Sequence, residues 1–515
     1  MVIGDKLSLI LLKNILYIMK NLFIVSCVFI MFCSCGEDTK IQTSNAKNHL
    51  LALINGKNKI SAFGKVQIDR IIDKIEIQNF PMIGLIADGI IQENKELLNL
   101  NNPIYYALET INNNGSGNLY LIADIQSKDL IIDKLEQFGF NFQNENGIDL
   151  ADFDNQFIGI SENTIVAAVT NDKSVNLSNK IYEVLNAKIE GQADPLFDKI
   201  MASKSDLVNV FHLGKIYSSV KSNELNSTLA FPELEKEISS ALVQSDVNFN
   251  NGELSMISTH HFSSRLKEMM CLKQSSNNWI YNLKGGKPTM GYAMNLDVSQ
   301  LQKNILQFYP DLMKVMSASL NNSGMSFDPN NLISEIVTGQ IGIVMSGIEK
   351  PNESIVSNSL LPYSLINKGI FNVFVGLGEN GKQLFNQMAS ILAMNEKLNY
   401  QITDDGLLIK RTQVGKSMDN VDLEMDSKFG FFGKKGVSAF IDFVELKSLV
   451  GNTAPQEEEF FKLFDYLTFE MDENGSKLLI SMKNKTANIL VQFREAVYNI
   501  MVNQANNSSL IDEIL

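Results

Sequence analysis

The chain of 515 residues is 45% apolar and 20% charged, which is enough for more than one hydrophobic core. Its formal net charge of −14 repels nucleic acid and anionic lipid surfaces, and so excludes a general nucleic-acid-binding protein. Of its four cysteines only Cys271 lies beyond residue 35, which excludes an internal disulfide or a cysteine zinc site in the folded body.

An apolar run near the N-terminus is typical of an export signal. Lys20 precedes residues 22–32, which are apolar except for Ser26. This run is too short for a transmembrane helix of about 20 residues, but it fits the hydrophobic region of a signal peptide. Residues 1–18 contain a second apolar run that a signal peptide does not need, so Met19 is the predicted translation start. A chain that keeps both runs would have a membrane-associated N-terminus of another kind.

The end of this run resembles a bacterial lipoprotein signal, in which the peptidase cuts before a cysteine that carries diacylglycerol. We predict a signal peptide over residues 1–34, lipidation of Cys35, and a flexible tether over residues 35–47. Cys33 is the alternative, but it would place the bulky Phe32 beside the cut. An ordinary secretory signal with incidental cysteines is the other alternative.

Removal of residues 1–34 makes the chain more acidic. Three of the 44 basic and one of the 58 acidic residues are lost, which leaves 41 and 57 and a net charge near −16. Membrane attachment therefore has to come from the acyl chains, palmitate among them, because no basic patch is expected. Glu37 and Asp38 resemble the acidic export signal of surface-exposed Bacteroidota lipoproteins. The predicted location is the cell envelope, as an outer-membrane lipoprotein that is periplasmic or surface-exposed.

Self-similarity is the main feature of the remaining chain. Residues 118–138 (NLYLIADIQSKDLIIDKLEQF) align without gaps with residues 372–392 (NVFVGLGENGKQLFNQMASIL), and both predict strand, turn and amphipathic helix. Four shorter segments recur in the same order: 62–72 with 292–302, 140–148 with 398–407, 208–220 with 437–449, and 247–258 with 469–481. The last pair each contain an Asn-Gly hairpin signal.

These correspondences predict two homologous halves, at 48–283 and 284–505, followed by a C-terminal tail at 506–515. Within each half, segments of period two alternate with helical patterns, and turn signals join neighbouring strands. The predicted fold class is therefore α+β, in which each half is a mainly antiparallel sheet with packed helices.

The second of the aligned segments also contains the pattern of two nucleotide-binding motifs. Gly376, Gly378 and Gly381 match G-x-G-x-x-G, and Gly381-Lys382 resemble part of a P-loop. The first half forms the same strand, turn and helix without glycine, and Gln383 stands where a P-loop needs Ser or Thr. We interpret the glycines as part of a turn in left-handed geometry and predict no cofactor.

Other candidate chemistry is weak. His260 and His261 are adjacent on a predicted strand, so they point to opposite faces and cannot grip one metal. Ser218 and Lys221 match S-x-x-K without the accompanying β-lactamase motifs. Cys271 is expected to be a buried small apolar residue. Further candidates are the aspartates of turns, which a glycosidase would need in a pair; they are Asp149, Asp152, Asp154, Asp404 and Asp405. We predict no catalytic and no metal residue.

Three phrases of the sequence resemble a Bacteroidota family of lipoproteins of unknown function. They are LIIDKLEQFGF, IGISENTIVAAV and KGGKPTMGYAMNLD. The resemblance extends over most of the chain beyond the signal and implies a lipid-anchored envelope protein. It carries no catalytic residues.

The sequence favours a lipid-anchored, non-catalytic binding or scaffold protein of the cell envelope. Its partners would be the membrane, through the N-terminal lipid, and an envelope protein or glycan bound in a cleft between the halves. The alternative is an envelope glycan or peptide hydrolase that uses carboxylates in that cleft. A third hypothesis, an assembly factor for exported chains, requires an exposed apolar patch.

Overall fold

A computed structural model describes residues 45–55, 60–76, 101–110, 117–153, 155–172, 174–187, 195–224, 232–321, 328–348, 369–387, 398–411, 421–450 and 461–507. The predicted signal peptide, the lipidation site at Cys35 and most of the C-terminal tail lie outside these residues. The chain forms two compact units, divided between Asn248 and Phe249. The predicted repeat boundary after residue 283 concerns homology and stays a prediction.

The first unit is an antiparallel sheet with helices on it. Its strands are β1 Ile60–Val66, β2 Ile104–Thr110, β3 Gly117–Asp124, β4 Gln143–Glu145, β5 Ile148–Phe153, β6 Gln156–Ile160, β7 Thr164–Thr170, β8 Leu207–His212 and β9 Leu242–Asn250. Its helices are α1 Asn45–Asn55, α2 Ile68–Ile75, α3 Lys128–Gln137, α4 Ser178–Leu185, α5 Pro195–Met201, α6 Leu213–Glu224 and α7 Pro232–Ile238. The strand order is β9-β8-β1-β2-β3-β7-β6-β5-β4, and every neighbouring pair is antiparallel.

Helix α1 packs into the core of the first unit. Ala46, Leu50 and Leu53 recur at helical spacing, lie on one face and have no exposed surface. They share a cluster with Tyr120 of β3 and with α4 and α5. The helix begins at Asn45, so residues 45–47 of the predicted tether are helical.

The second unit is also an antiparallel sheet with helices. Its strands are β10 Glu253–His261, β11 Met290–Asn295, β12 Val337–Ile348, β13 Gly369–Leu377, β14 Leu398–Ile402, β15 Gly406–Arg411, β16 Val437–Asp442, β17 Phe464–Asp472 and β18 Gly475–Met482. Its α-helices are α8 Ser264–Met270, α9 Val298–Phe308, α10 Pro310–Asn321, α11 Leu332–Ile336, α12 Glu379–Gln387, α13 Phe443–Val450 and α14 Ile489–Asn507, with 3₁₀ turns at Asn277–Asn282 and Ser427–Phe429. The strand order is β10-β18-β17-β16-β11-β12-β13-β15-β14, again antiparallel throughout. The predicted α+β class with mainly antiparallel sheets is confirmed.

An aromatic core fills one face of the second sheet. Phe440 of β16 stacks on Phe429 with ring centroids 4.3 Å apart and meets Phe432 edge-on at 5.0 Å. Trp279 stacks on Phe374 of β13, and its indole N–H donates to the carbonyl of Gly433. This cluster fixes which face of each strand points inward.

The predicted hairpin turns differ in geometry. Between β4 and β5, Asn146 and Gly147 both have positive φ, at 51° and 87°, as a type I′ turn requires. Between β17 and β18 the closing pair is Asp472 with Gly475, so Gly475 is a strand residue and not a turn residue. The Asp472 carboxylate accepts the N–H of Asn474 at 3.0 Å, which stabilises this other turn.

Candidate functional site

The glycines that resemble a nucleotide motif pack against the backbone of a neighbouring helix. A Cβ at Gly378 or Gly381 would overlap the carbonyl oxygens of Glu335 or Ile336, at the end of α11. The N–H of Gly378 donates to the Ile336 carbonyl at 3.0 Å. Lys382 is also engaged, because its ammonium lies 2.6 Å from the Glu379 carboxylate. Carbonyl oxygens therefore lie where a bound phosphate would need hydrogen-bond donors.

The interpretation of these glycines as a left-handed turn is wrong. Helix α12 already begins at Glu379, and Gly381 lies within it without positive φ. The physical reason for glycine is close packing, since no side chain fits between α12 and α11.

We expect Gly381→Ala to lower the free energy of unfolding by about 1–3 kcal/mol, because the added methyl group overlaps backbone that cannot move freely. Denaturant unfolding of the full chain measures this change. The control is Gln383→Ala, at an exposed position of the same helix, which we expect to be near neutral. A Gly381→Ala variant as stable as the wild type would reopen the phosphate-binding interpretation.

The histidine pair lies on β10 as predicted. His260 is buried, its ring stacks on Phe262 at 4.7 Å, and burial lowers the pKa of His260. The adjacent His261 is half-buried and on the opposite face. Among the residues described, no three or more His, Cys, Asp or Glu side chains group as a metal ion would need.

The serine and cysteine candidates have structural surroundings. Ser218 is exposed on α6, and its hydroxyl donates to the Lys215 carbonyl at 2.9 Å. Cys271 is buried at the end of α8, where its sulfur accepts an N–H from Asn304 at 3.1 Å. Burial raises the pKa of Cys271, which keeps the thiol protonated and unreactive. The predicted role of Cys271 as a buried small residue matches these contacts.

Two carboxylates converge on one lysine in the second unit, which is the arrangement closest to a hydrolase pair. The ammonium of Lys428 lies 2.8 Å from Asp442 and 3.8 Å from Asp465, and Lys485 lies 2.8 Å from Asp465. Asp442 also accepts the N–H groups of Val444 and Glu445 at the start of α13. Each carboxylate is therefore part of an ion pair. The cluster ties β16 and β17 to a helix N-terminus.

The predicted turn aspartates do not form such a pair. Asp149 lies 2.5 Å from the ammonium of Lys128. Asp405 accepts an N–H from Asn282 at 3.2 Å, and the Asp404 carbonyl accepts Lys382 at 2.8 Å. Asp152 is exposed on β5, and Asp154 lies outside the described residues.

A buried carboxylate that the sequence analysis missed lies in the first unit. Glu109 of β2 accepts hydrogen bonds from Asn118, Tyr120 and Lys180, at 2.9, 2.9 and 2.6 Å. Burial alone would raise the pKa of Glu109, but these donors hold it below its usual value. The three partners come from β3 and α4, so only the fold brings them together. A carboxylate so fully engaged is suited to hold the core, not to donate a proton.

A second buried charge, Lys65, is the penultimate residue of the apolar strand β1. Its ammonium donates to the carbonyls of Met201 and Ser203, at the end of α5 and just after it. Burial lowers the pKa of Lys65 to about 8. The lysine acts as a cap for the last turn of α5. In the sequence, the only indication of this role is the position of Lys65 in an apolar strand.

An unbroken row of apolar side chains crosses the nine strands of the second unit. Each residue of the row is paired directly with the next one on the neighbouring strand. The members of this apolar row are Met256, Leu478, Phe469, Ala439, Tyr292, Ile343, Val373, Ile409 and Tyr400. At about 4.8 Å between strands, it extends for roughly 38 Å.

The apolar row is only partly covered, although it crosses the central strands. Tyr292 is 40% exposed, and the other eight side chains are partly exposed. On the opposite face of the same strands, Ala293, Val344 and Phe374 have no exposed surface. On the central strands β11, β12 and β13 the sheet therefore buries this face and presents partly exposed apolar side chains on the other.

The surroundings of the apolar row are uncharged. The next row on the same face contains apolar residues and two serines: Ser258, Ser476, Met471, Val437, Met294, Ile341, Val375, Leu407 and Ile402. The row on the other side is wholly apolar, from Leu254 to Phe371, and contacts α13 and α14. Among the described side chains of these three rows no acidic or basic group occurs, so the rows offer contact area and no acid–base chemistry.

The first sheet presents a similar row on one face. Phe211 and Phe153 are 38% and 50% exposed there. The full row is Val243, Phe211, Ala62, Leu108, Leu119, Val169, Gln156 and Phe153. In the sequence, both rows are indicated by strands that have apolar residues on both faces, such as MGYAMN in β11.

Comparisons with known proteins give little. No protein-family model matches the chain, and no curated protein matches it. Three crystal forms of TP0453 align with parts of it. Form III has 11% identity over 44% of this chain and 87% of its own, with a TM-score of 0.27. Form IV has 11% identity over 39% of this chain and 76% of its own, with a TM-score of 0.25. Form I has 13% identity over 44% of this chain and 85% of its own, with a TM-score of 0.24. At these TM-scores no argument about fold or function follows. No helix among the described residues is long and apolar enough to cross a membrane.

Proposed function

We propose that the protein is a lipid-anchored, non-catalytic binding or scaffold protein of the cell envelope, and that it holds a protein partner on the apolar row of its second unit. The anchor is the acylated Cys35 at the outer membrane, and the body is periplasmic or surface-exposed. The observation that carries the binding role is the partly exposed apolar row, which on the central strands lies opposite the fully buried Ala293, Val344 and Phe374.

The composition of this face supports a protein partner. Tyrosine, phenylalanine and methionine are enriched at protein–protein interfaces, and methionine adapts its shape to different partners. Tyr292, Phe469 and Met256 lie in the apolar row, and Met294 and Met471 lie beside it. A protein with an apolar segment could cover such a surface without needing charged groups in return.

The hydrolase alternative has less support among the described residues. It needs a carboxylate that can carry a proton beside a second one in an open site. Asp442, Asp465 and Glu109 each contact a lysine ammonium instead. The cleft between the halves, as a site for a glycan or protein ligand, stays a prediction.

We also propose that the two sheets descend from one duplicated unit, as the sequence repeats suggest. The order β8-β1-β2-β3 is matched by β16-β11-β12-β13 in the second unit. Lys128 and Lys382, which align in sequence, each donate from the following helix to a carbonyl in the next hairpin turn, at Gly147 and Asp404. These equivalent contacts are the strongest support for common descent.

We expect a photo-crosslinking amino acid at Tyr292 to capture a reproducible envelope protein in whole cells, identified by mass spectrometry. The matched control is Ile257, which is 49% exposed on the opposite face of the same sheet. Tyr292→Glu should weaken the recovered complex about tenfold or more, because it buries a charge at a contact surface. Equal capture from both positions, or turnover of an envelope glycan or peptide by the pure protein, would contradict the proposal.

The lipid anchor is tested separately with radiolabelled palmitate. We expect Cys35→Ala to abolish incorporation of the label. Label that survives Cys35→Ala and is lost with Cys33→Ala would move the anchor to Cys33.

A further inference from the structure

Three phenylalanines at the edge of the first sheet form an exposed aromatic patch. We define this aromatic patch as Phe138, Phe142 and Phe153. Phe138 is 53% and Phe153 is 50% exposed, and Phe142 is half-buried. Phe140 is 7% exposed, its ring lies 5.6 Å from that of Phe153, and Phe142 packs against the same buried cluster. Phe142 and Phe153 are therefore supported by the core, and Phe138 directly follows α3.

We infer that the aromatic patch contacts the surface of the membrane that holds the lipid anchor. This inference rests on the anchor proposed at Cys35. Exposed aromatic side chains on a rigid support partition into the lipid interface, where their rings lie among headgroups and upper acyl chains. Without an anchor, two or three such residues give weak but measurable binding to the interface, and an anchor strengthens it because the anchored protein meets the interface continually.

The length of the tether places the membrane within reach of the patch. Residues 36–44 separate Cys35 from α1, and a fully extended chain of ten steps spans at most about 35 Å. In the first turn of α1, the N–H of Ala46 donates to the Asp124 carboxylate at 2.9 Å. Three residues after Asp124 lead to α3, whose ten residues measure about 15 Å and end at Gln137, directly before Phe138. The patch therefore lies less than about 30 Å from the end of the tether.

The charges around the patch select the kind of lipid. Residues 128–153 carry six acidic and two basic side chains. Exposed Asp133, Glu136 and Asp152 are among the acidic ones. Anionic headgroups would be repelled over about a Debye length, so zwitterionic headgroups are the expected surface.

The test uses the lipidated full chain in vesicles of phosphatidylcholine and phosphatidylethanolamine. A polarity-sensitive fluorophore is attached at Phe138→Cys and, as the control, at Tyr281→Cys, which is also 53% exposed. We expect a blue shift and about twofold stronger quenching by spin-labelled lipid at position 138 than at position 281. Equal quenching at both positions, in protein that does carry the lipid, would overturn the inference and leave the anchor intact.

A second measurement separates the patch from the anchor. In the full chain with Cys35→Ala, which cannot be acylated at that position, the double change Phe138→Ser and Phe153→Ser should lower co-flotation with the same vesicles about tenfold. Anionic phosphatidylglycerol should weaken co-flotation of the parent, and added salt should restore it. Unchanged co-flotation of the double variant, or none for the parent, would overturn the inference even if the palmitate label is found. Circular dichroism checks that both chains are folded.

Discussion

Replacing Glu109 with alanine is expected to lower the free energy of unfolding by about 3–5 kcal/mol, because the change leaves the ammonium of Lys180 facing the core without its counter-ion. The hydroxyl of Tyr120 and the amide of Asn118 lose their acceptor at the same time. Chemical denaturation of the full chain measures the change.

The controls for this prediction isolate the ion pair. Glu136→Ala, at an exposed position of α3, should change stability by less than about 0.5 kcal/mol. Glu109→Leu combined with Lys180→Met should recover much of the loss, since replacing both charges removes the unpaired one. A loss below about 1 kcal/mol for Glu109→Ala would show that water reaches Lys180 and that the network is not closed.

The same carboxylate gives the protein an acid-sensitive component of stability. The pKa of Glu109 is held below 4.5 in the folded chain, so its stabilising contribution is complete above 4.5 and is lost as the pH falls through the lowered value. Above pH 4.5 the free energy of unfolding of the wild type should therefore exceed that of Glu109→Gln, and the difference should disappear as the pH falls through the lowered pKa of Glu109.

Replacing Phe440 with alanine is expected to cost about 3–5 kcal/mol, because it opens a cavity in the aromatic core of the second unit. Phe440 is 1% exposed and contacts the rings of Phe429 and Phe432. Denaturant unfolding measures the loss, and Phe440→Leu should lower the free energy of unfolding less because leucine fills more of the cavity than alanine.

Tyr292→Ala, on the other face of the adjacent strand, is the control and should change stability by about 1 kcal/mol or less. Similar losses for Phe440→Ala and Tyr292→Ala would show that both faces of this sheet are equally covered, which would remove the basis for a binding surface there.

Local periodicity predicted the elements that depend on local sequence. The strand, turn and helix expected at 118–138 are β3 and α3, and those expected at 372–392 are β13 and α12. Alternating apolar residues suffice for this, because a strand or an amphipathic helix shows its period within a few residues. The α+β class follows from such segments alone.

Register was harder to predict than the presence of strands. The alignment of 208–220 with 437–449 pairs Phe211 with Phe440, but the former belongs to the exposed row and the latter to the buried core. Ala62 and Tyr292 are aligned in the sequence repeats. Ala62 pairs with Phe211 and Tyr292 pairs with Ala439, so Phe211 is structurally equivalent to Ala439. Shifting the alignment of 208–220 with 437–449 by one residue restores this equivalence. A slip of one residue exchanges the two faces of a strand, and sequence similarity between short apolar segments does not detect it.

The candidate binding face could not be predicted because its neighbours are distant in sequence. Met256 meets Leu478, and Tyr292 meets Ala439, only after the strands are paired. The apolar strands were visible in the sequence, but which of their two faces is left partly exposed depends on where the helices pack. The glycines around Gly381 show the same limit, since the carbonyls that exclude a side chain come from α11.

If the chain is exported as proposed, the position of α1 has a consequence for how it matures. Its first contacts are with Asp124, Val184 and Asp198, which lie 78 to 151 residues further along the chain. An N-terminus that leaves the translocation channel first must therefore wait until most of the first unit has followed before its helix finds a place. During that interval an acylated start would already be held at the membrane, so we expect the body to fold beside the bilayer, with exported chaperones competing for the unburied leucines of α1.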